Sequence, residues 1–185
     1  MQRWYFGEAM RFTEPHGFIM HARMKRLYRR AFPRSERKPF SVIKRMHKQS
    51  KSDMWYFEDE RGFLGLATTI NSPDTVLIDY FAVAEDRRGE GKGTEMLKSL
   101  LELYSSRGVF LEIEIPYEGE AEYEQRLRRR NFYIRAGLVP MGTRVKLFGV
   151  DMELLGIGCH LDFDEYRRFY LDNYGIFAYN NIKMI

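Results

Sequence analysis

The sequence has very little cysteine. Among its 185 residues there is one, Cys159, and this excludes an intramolecular disulfide and a zinc site built from several cysteines. Cys159 lies in the stretch LGIGCHLDF without neighbours that would activate a thiol, so we predict a structural role for it. His21, His47 and His160 have no metal-like spacing to another histidine or to the cysteine. The sequence therefore predicts no metal site.

Long apolar runs are also missing. No stretch approaches the ~20 consecutive apolar residues of a membrane-spanning helix. The N-terminal stretch MQRWYFGEAMRF has no apolar segment followed by a small-residue cleavage site. We therefore expect no membrane partner and a cytoplasmic location. The length of 185 residues, with 44% hydrophobic and 30% charged residues, predicts a single domain over residues 1–185.

Acidic residues are scarce in the first part of the chain. Residues 1–53 contain 14 Lys and Arg against 4 Asp and Glu, whereas the whole chain has a net charge of +4. The stretches HARMKRLYRRAF and RSERKPFSVIKRMHKQSK could follow a phosphate backbone, but they lack regularly interleaved aromatic residues and any nucleic-acid motif. We favour solvated helix faces over attraction of a polyanionic cofactor, an acidic partner or nucleic acid, and we do not expect nucleic acid as a partner.

The order of periodic segments predicts one α/β structure. Two helices, HARMKRLYRRAF and PFSVIKRMHKQ, are expected before any strand. MWYFEDERGFLGLATTI predicts a hairpin around Gly62, and TVLIDYFAVA is the most strand-like segment of the chain. We then expect a helix that runs to Gly108, the strand VFLEIEIP, a helix ended by Gly137, one or two strands in TRVKLFGVDMELLGIG, and a last helix in DFDEYRRFYLDNYG.

Three closely spaced glycines, Gly89, Gly91 and Gly93, join the central strand to a helix in the stretch AVAEDRRGEGKGTEML. A strand, a glycine turn and a helix start together present unpaired backbone amides that favour a phosphate group. The Walker loop requires Ser or Thr after its lysine, but Gly93 follows Lys92. The dinucleotide fingerprint requires G-x-G-x-x-G, and these glycines are spaced by two. Neither motif fits.

The spacing that does fit is R-x-x-G-x-G, formed by Arg88, Gly91 and Gly93. This stretch resembles the acetyl-CoA-binding segment of the GNAT N-acetyltransferase superfamily. A second stretch, RRNFYIRAGLVPMG, resembles the aromatic–Tyr signature of that family and follows the first at the family's usual distance. The resemblance covers roughly residues 20–157.

The resemblance implies an α/β fold with a mixed, mostly antiparallel central sheet flanked by helices, and leaves residues 158–185 as an added C-terminal helix and tail. It implies an enzyme that moves the acetyl group of acetyl-CoA directly to a primary amine, on a small molecule or a peptide, without a metal. A homodimer is compatible with it. Two alternatives stay open: an acyl-CoA-binding sensor domain without transfer activity, and a basic protein that binds nucleic acid or an acidic partner.

For the coenzyme, the resemblance assigns the pyrophosphate to the backbone amides of the glycine turn, with Arg88 as the charged partner. It assigns the pantetheine arm to the free backbone edge of the strand FAVA, where a bulge would direct the N–H of Phe81 or Ala82 towards the thioester carbonyl. The predicted coenzyme-binding residues are Phe81, Ala82, Val83, Arg88, Gly89, Glu90, Gly91, Lys92, Gly93 and Thr94.

Acyl transfer to an amine needs a proton donor for the departing thiolate and a base for the amine. Tyr133 in NFYIRAG matches the tyrosine that the family places beside the coenzyme sulfur, although packing beside Phe132 is the alternative role. Asp79, on an otherwise apolar strand face, and Glu112, on the strand VFLEIEIP, are the candidate bases. Glu114 shares a face with Glu112 and is predicted to bind the acceptor amine. Each of the three acids has an alternative as a hydrogen-bonded or solvated carboxylate.

Overall fold

The computed structural model describes residues 3–6 and 10–185. The chain falls into two compact units, one formed by Met1–Asn71 with Ile78–Leu103 and the other by Ser72–Leu77 with Tyr104–Ile185. The predicted α/β class, with a mixed and mostly antiparallel sheet, is confirmed. Within the described part, no helix is both long enough and apolar enough to cross a membrane.

The described residues of the first unit form five strands and three α-helices. The elements are β1 (Arg3–Phe6), β2 (Met10–Thr13), α1 (Gly17–Ala31), α2 (Phe40–Lys48), β3 (Ser52–Asp59), β4 (Gly62–Asn71), β5 (Thr75–Val83) and α3 (Lys92–Leu103). The first three residues of β5 count with the second unit. The strands follow the order β1-β2-β3-β4-β5, and the registered pairs β1–β2, β2–β3 and β3–β4 are antiparallel.

The predicted hairpin is confirmed. Strands β3 and β4 meet at a tight turn, in which Gly62 has φ +100°, a left-handed value that favours glycine. The expectation that two helices precede any strand was wrong, because β1 and β2 come before α1. Strand β2 has four residues, of which Met10, Phe12 and Thr13 are buried, and so short a segment gives too weak a period-2 signal for prediction.

The core of the first unit lies between helices α1 and α2 and the strands. The predicted first helix is α1, which buries Met24, Leu27 and Tyr28 on one face. The helix ends at Ala31, ahead of Pro33, because proline disfavours helical backbone in the residue before it. The buried cluster consists of Met24, Leu27, Tyr28, Ile43, Met54, Tyr56, Leu66, Tyr80 and Ala82.

The second unit begins with the first residues of β5 and contains seven further elements. These are β6 (Gly108–Glu114), α4 (Tyr123–Arg135), β7 (Val139–Leu147), β8 (Val150–Ile157), α5 (Phe163–Tyr174), α6 (Ile176–Asn180) and β9 (Ile182–Met184). The strand order is β5-β6-β8-β7-β9. Strands β5 and β6 pair in parallel over Thr75–Leu77 and Gly108–Phe110, and the other registered pairs are antiparallel.

The end of the chain contains more structure than the predicted helix and tail. The predicted last helix is α5, and Asp162 begins it with a capping box, in which its side chain accepts from the Glu165 N–H and the Glu165 side chain accepts from the Asp162 N–H. The segment expected to be a tail forms α6 and then β9, which pairs with β7. A three-residue strand depends on its partner for stability, so its own sequence could not reveal it.

Gly108 has a different role from the one predicted. Helix α3 ends at Leu103, and Gly108 is the first residue of β6. A Cβ at Gly108 would lie 2.2 Å from the Cβ of Cys159, so only glycine permits this close approach. Burial raises the pKa of the Cys159 thiol, which disfavours the reactive thiolate and agrees with a structural role.

Candidate active site

The predicted coenzyme turn connects β5 to α3 in the first unit. A 3₁₀ turn at Glu85–Arg87 follows the strand, and α3 begins at Lys92. Gly89 and Gly91 have φ of +83° and +77°, and a Cβ built on either would meet nothing within 4 Å. Both glycines are therefore required by backbone conformation, and the space beside them is open to a ligand.

Backbone N–H groups collect at this turn. The amides of Thr94 and Glu95 donate to the Gly91 carbonyl at 3.0 and 3.3 Å. In the part of the chain that the structure describes, the amides of residues 89–93 have no hydrogen-bond acceptor. Unpaired donors at the start of the twelve-residue helix α3 form a site of positive potential for an anion.

Arg87 anchors the turn to the β3–β4 hairpin. Its side chain is only 3% exposed, and its Nη1 and Nη2 donate to Asp59 Oδ1 and Oδ2 at 3.2 and 2.6 Å. The hydrogen bonds from Arg87 lower the pKa of the Asp59 carboxyl, so this pair is ionised at neutral pH. Sequence reasoning missed Arg87, because nothing in the Arg-Arg pair indicates which of the two is buried.

Arg88 is exposed, as expected of a residue that would meet a ligand. Its Nε donates to the Val83 carbonyl at 3.3 Å, and no carboxylate of the described residues lies within ion-pair distance of it. The other charged residues of the turn are paired: Glu90 with Arg61 at 2.9 Å, and Lys92 with Glu95 at 2.8 Å. Arg88 therefore supplies the uncompensated positive charge of the turn, and Glu90 can serve a phosphate only through its backbone.

The predicted central strand is β5, and its burial alternates from Ile78 onward, whereas Val76 and Leu77 are both buried. Ile78, Tyr80 and Ala82 are buried, whereas Asp79, Phe81 and Val83 lie half-buried on the other face. The Asp79 carboxylate accepts from Lys38 Nζ at 2.7 Å, and the side chain of Asp79 is 9% exposed. This ion pair is the hydrogen-bonded alternative considered for Asp79, and a role as base stays a prediction. The bulge at Phe81 or Ala82 also stays a prediction.

A pair of tyrosines holds Lys38 in place. The Lys38 N–H donates to the Tyr80 hydroxyl at 3.1 Å, and the Tyr80 hydroxyl donates to the Glu36 carbonyl at 2.8 Å. Tyr28 packs edge-on against Tyr80 and donates to the Lys38 carbonyl at 2.9 Å. Burial raises the pKa of Tyr28 to about 12 and also raises the pKa of Tyr80. Both hydroxyls therefore stay protonated at neutral pH and act as fixed donors.

In the second unit, Glu112 and Glu114 lie on the half-buried face of β6, as predicted. The hydroxyls of Tyr166 and Tyr170, both on α5, donate to Glu112 Oε1 at 2.7 Å each. These two tyrosines were missed by sequence reasoning. Their i, i+4 spacing shows that they share a helix face, but it does not show what that face contacts.

Glu114 has a different environment from that of Glu112. It forms an ion pair with Arg126 on α4, and Arg126 also pairs with Glu120 and Glu122. The guanidinium compensates the charge of Glu114 within the protein. This pairing is the structural alternative that the sequence left open for Glu114, and its predicted contact with the acceptor stays untested.

Tyr133 is the buried residue of α4. The residue is 8% exposed, and its ring lies 5.1 Å from that of Phe132, centroid to centroid, in an edge-on contact. Burial raises the pKa of the Tyr133 hydroxyl, against a smaller lowering by the charge of Arg129. The hydroxyl therefore keeps its proton through neutral and mildly alkaline pH.

One group of described residues offers ligand atoms to a metal ion, although the sequence predicted none. Atoms of Glu14, His47 and Asp53 lie within 4.8 Å of one another in the first unit. His47 Nδ1 lies 3.0 Å from the Ser52 carbonyl oxygen, and Asn71 Nδ2 donates to Asp53 at 2.9 Å. Glu14 follows β2, His47 lies on α2 and Asp53 lies on β3, so their spacing along the chain could not reveal the group.

Comparisons with known proteins agree with the geometry. The family model described as Acetyltransferase (GNAT) family matches residues 21–137. A solved structure from Bacteroides thetaiotaomicron, assigned to GNAT acetyltransferases, is 23% identical with a TM-score of 0.70, covering 85% of this chain and 94% of that one. A second, from Desulfovibrio desulfuricans, is 20% identical with a TM-score of 0.63, covering 80% and 98%.

A third similar structure is spermidine N-acetyltransferase from Vibrio cholerae in complex with CoA and spermine. It is 13% identical, has a TM-score of 0.61 and covers 80% of this chain and 94% of that one. Comparison with curated protein sequences gives no significant match. The structural similarities support the fold, and the family match covers more than half of the sequence. The chain belongs to the acetyltransferase (GNAT) family.

Proposed function

We propose that the protein transfers the acetyl group of acetyl-CoA directly to a primary amine of a small-molecule acceptor. The observation that carries this proposal is the turn before α3. Its two left-handed glycines face open space, its amides at residues 89–93 are unpaired among the described residues, and Arg88 adds a positive charge. Such a surface suits the pyrophosphate of a coenzyme.

The residues present fit the coenzyme. The amides of residues 89–93 and the Arg88 guanidinium would hold the pyrophosphate, and the backbone of Phe81, Ala82 and Val83 would pair with the pantetheine arm. The Thr94 amide already donates to the Gly91 carbonyl, so the Thr94 side chain is the part of this residue that remains for the coenzyme. When bound, acetyl-CoA supplies an activated thioester. Arg87 contributes indirectly, because its pairing with Asp59 keeps the turn in the shape that presents the amides.

Tyr133 is the proposed proton donor for the departing thiolate. A general acid must carry its proton at the working pH, and burial ensures this by raising the pKa of the hydroxyl. The edge-on contact with Phe132 fixes the direction of the ring, so the hydroxyl is positioned by packing. The assignment rests on the family resemblance of NFYIRAG together with this protonation state.

Glu112 is the proposed base on the acceptor side. An alkyl amine of pKa ~10.4 is almost fully protonated at pH 7, and deprotonating it costs about 4.6 kcal/mol. Two tyrosine hydroxyls hold the Glu112 carboxylate in a fixed orientation, which positions its oxygens for proton transfer. Asp79 and Glu114 form ion pairs with Lys38 and Arg126, and accepting a proton would weaken those pairs. The proposal of Glu112 as the base rests on this fixed orientation.

An acceptor screen with acetyl-CoA tests the proposed function. We expect free thiol to appear with at least one class of small primary amine, among polyamines, aminoglycosides and amino acids. Polyamines belong in the screen because the similar structure from Vibrio cholerae is named a spermidine N-acetyltransferase. Coenzyme binding without turnover on any amine, peptides included, would contradict transferase activity and favour a sensor domain.

Replacing Glu112 with glutamine is expected to lower kcat/KM for a cationic amine by at least tenfold. The change removes the charge and basicity of the side chain while keeping its shape, and positioned bases typically contribute ~10²–10⁴-fold. Initial rates at several amine concentrations measure the effect, and calorimetry should show unchanged acetyl-CoA affinity.

Glu114→Gln is the matched control for Glu112→Gln, because it removes the same charge from the same strand face. Since Arg126 already compensates Glu114, we expect less than a threefold change in kcat/KM. Equal losses in the two variants would show that total charge matters and would contradict a specific role for Glu112. A loss confined to acetyl-CoA affinity would place Glu112 on the coenzyme side.

A further inference from the structure

An open cleft runs along helices α1 and α2 in the first unit. Its volume is about 680 Å³, and ten residues line it, seven from α1 and three from the start of α2. Five of the ten are permanently positive or nearly so at neutral pH, and none is acidic. The five cations of the cleft are Lys25, Arg26, Arg29, Arg30 and Lys44.

These five cations take part in no ion pair with another described residue. Among the described residues, none of them lies within 4 Å of a carboxylate, although the same structure contains ion pairs elsewhere on its surface. The local sequence explains this, because Glu36 is the sole acidic residue in the segment 15–51, which contains 12 Lys and Arg. Like charges that share a cleft repel one another, so an anion would stabilise this surface.

The spacing of the cations suits a ligand with several phosphate groups. Arg26 and Arg30 are four residues apart on α1, as are Lys25 and Arg29, so each pair follows the helix axis with a separation of about 6 Å. Arginine presents a planar fork that binds two phosphate oxygens at once. The cleft therefore offers three guanidinium groups and two ammonium groups. This is more positive charge than a single carboxylate or phosphate would need for charge compensation.

Aromatic rings accompany the charges. Phe18, at the start of α1, is 87% exposed, and Phe40, at the start of α2, also lines the cleft. An exposed phenylalanine among arginines offers a face on which a nucleobase can stack. The volume lies within the ~300–1,000 Å³ that is usual for small-molecule sites. These properties favour a compact ligand over a long polymer.

We propose that this cleft binds a nucleoside polyphosphate, with its phosphates on the arginines of α1 and its base on Phe18. The site is separate from the turn at residues 88–94, and the proposal does not depend on acetyl transfer. The excess of Lys and Arg in the N-terminal helices would then bind a specific ligand, whereas the sequence alone favoured a solvated helix face.

Calorimetry on the full chain tests the proposal with two probes, ATP and inorganic triphosphate, at ~150 mM salt. We expect saturable binding of both with one site per chain. Arg26→Gln combined with Arg30→Gln should weaken ATP binding by at least tenfold, because it removes two forks. Arg45→Gln combined with Lys48→Gln is the matched control, since these exposed residues of α2 carry the same charge but do not line the cleft. The control should change affinity by less than threefold.

Phe18→Ala tests the base contact. ATP should bind roughly fivefold or more tightly than triphosphate, because its base stacks on Phe18. Phe18→Ala should remove this difference and leave triphosphate binding unchanged. Unaltered circular dichroism would show that each variant is folded.

Four results would overturn the proposal: no saturable binding of either probe, equal losses in the cleft and control variants, an ATP advantage that survives Phe18→Ala, or displacement of ATP by stoichiometric acetyl-CoA. A single-stranded oligonucleotide that binds more tightly than ATP, with several chains per strand, would also overturn it in favour of a nucleic-acid surface.

Discussion

Tyr133→Phe is expected to lower kcat with a competent amine acceptor by at least tenfold, while the fold and the affinity for acetyl-CoA survive. Phenylalanine keeps the ring that packs against Phe132, so only the hydroxyl is lost. General acid catalysis typically contributes ~10²–10⁴-fold, and water can replace part of it. Initial rates and calorimetry on the purified variant measure the two quantities separately.

The pH dependence of the rate gives a second check on Tyr133. The donor is active while protonated, so its contribution is present below the pKa of the hydroxyl and is lost above it. Because burial raises this pKa, an alkaline limb caused by Tyr133 should lie above pH ~10. Tyr123→Phe, on the same helix, is the matched control and should leave kcat unchanged. If Tyr133→Phe also leaves kcat unchanged, Tyr133 is a packing residue.

Gly91→Val is expected to weaken acetyl-CoA binding by at least tenfold, about 1.4 kcal/mol. Gly91 has φ +77°, and the space beside it is open, so a valine side chain would occupy the surface proposed for the pyrophosphate. A β-branched residue also strains the left-handed backbone and disturbs the direction of the neighbouring amides. Calorimetric titration with acetyl-CoA measures the loss.

Gly149→Val is the control that separates blocking of the pyrophosphate surface from backbone strain. Gly149, in the turn between β7 and β8, has φ +92°, and a Cβ built on it would meet nothing within 4 Å, so valine there meets similar strain in a similar space. It should destabilise the fold comparably without changing coenzyme affinity. If Gly91→Val is folded and binds acetyl-CoA normally, the glycine cluster is only a turn, and the coenzyme assignment fails.

Local patterns predicted much of the fold. The hairpin at Gly62, the strand β5 and the helix α1 depend on residues close in sequence, and all three are confirmed. The strands before α1 and the strand at the end of the chain were not predicted. They are short, and their stability comes from pairing with partners that a local pattern does not contain.

The candidate site likewise has features that local sequence predicted and features that it did not. The glycine turn was predicted because its spacing reflects backbone conformation, which is a local property. The partners of the acids were not predicted, because Lys38, Arg126 and the two tyrosines reach them across many residues of sequence. A carboxylate on a buried strand face requires a partner group, but the sequence alone does not identify that partner. The acceptor, the cytoplasmic location and a homodimer stay predictions.

The two-point ion pair between Arg87 and Asp59 determines at which stage the turn loses its conformational entropy. A glycine-rich loop is flexible, and a ligand that had to order it would lose part of its binding free energy in doing so. Because this ion pair connects the turn to the β3–β4 hairpin, the turn becomes ordered during folding, before any coenzyme binds. The glycines then permit close approach of a ligand to the backbone without making the turn disordered in the unbound protein. The ligand would bind to a surface that is already rigid.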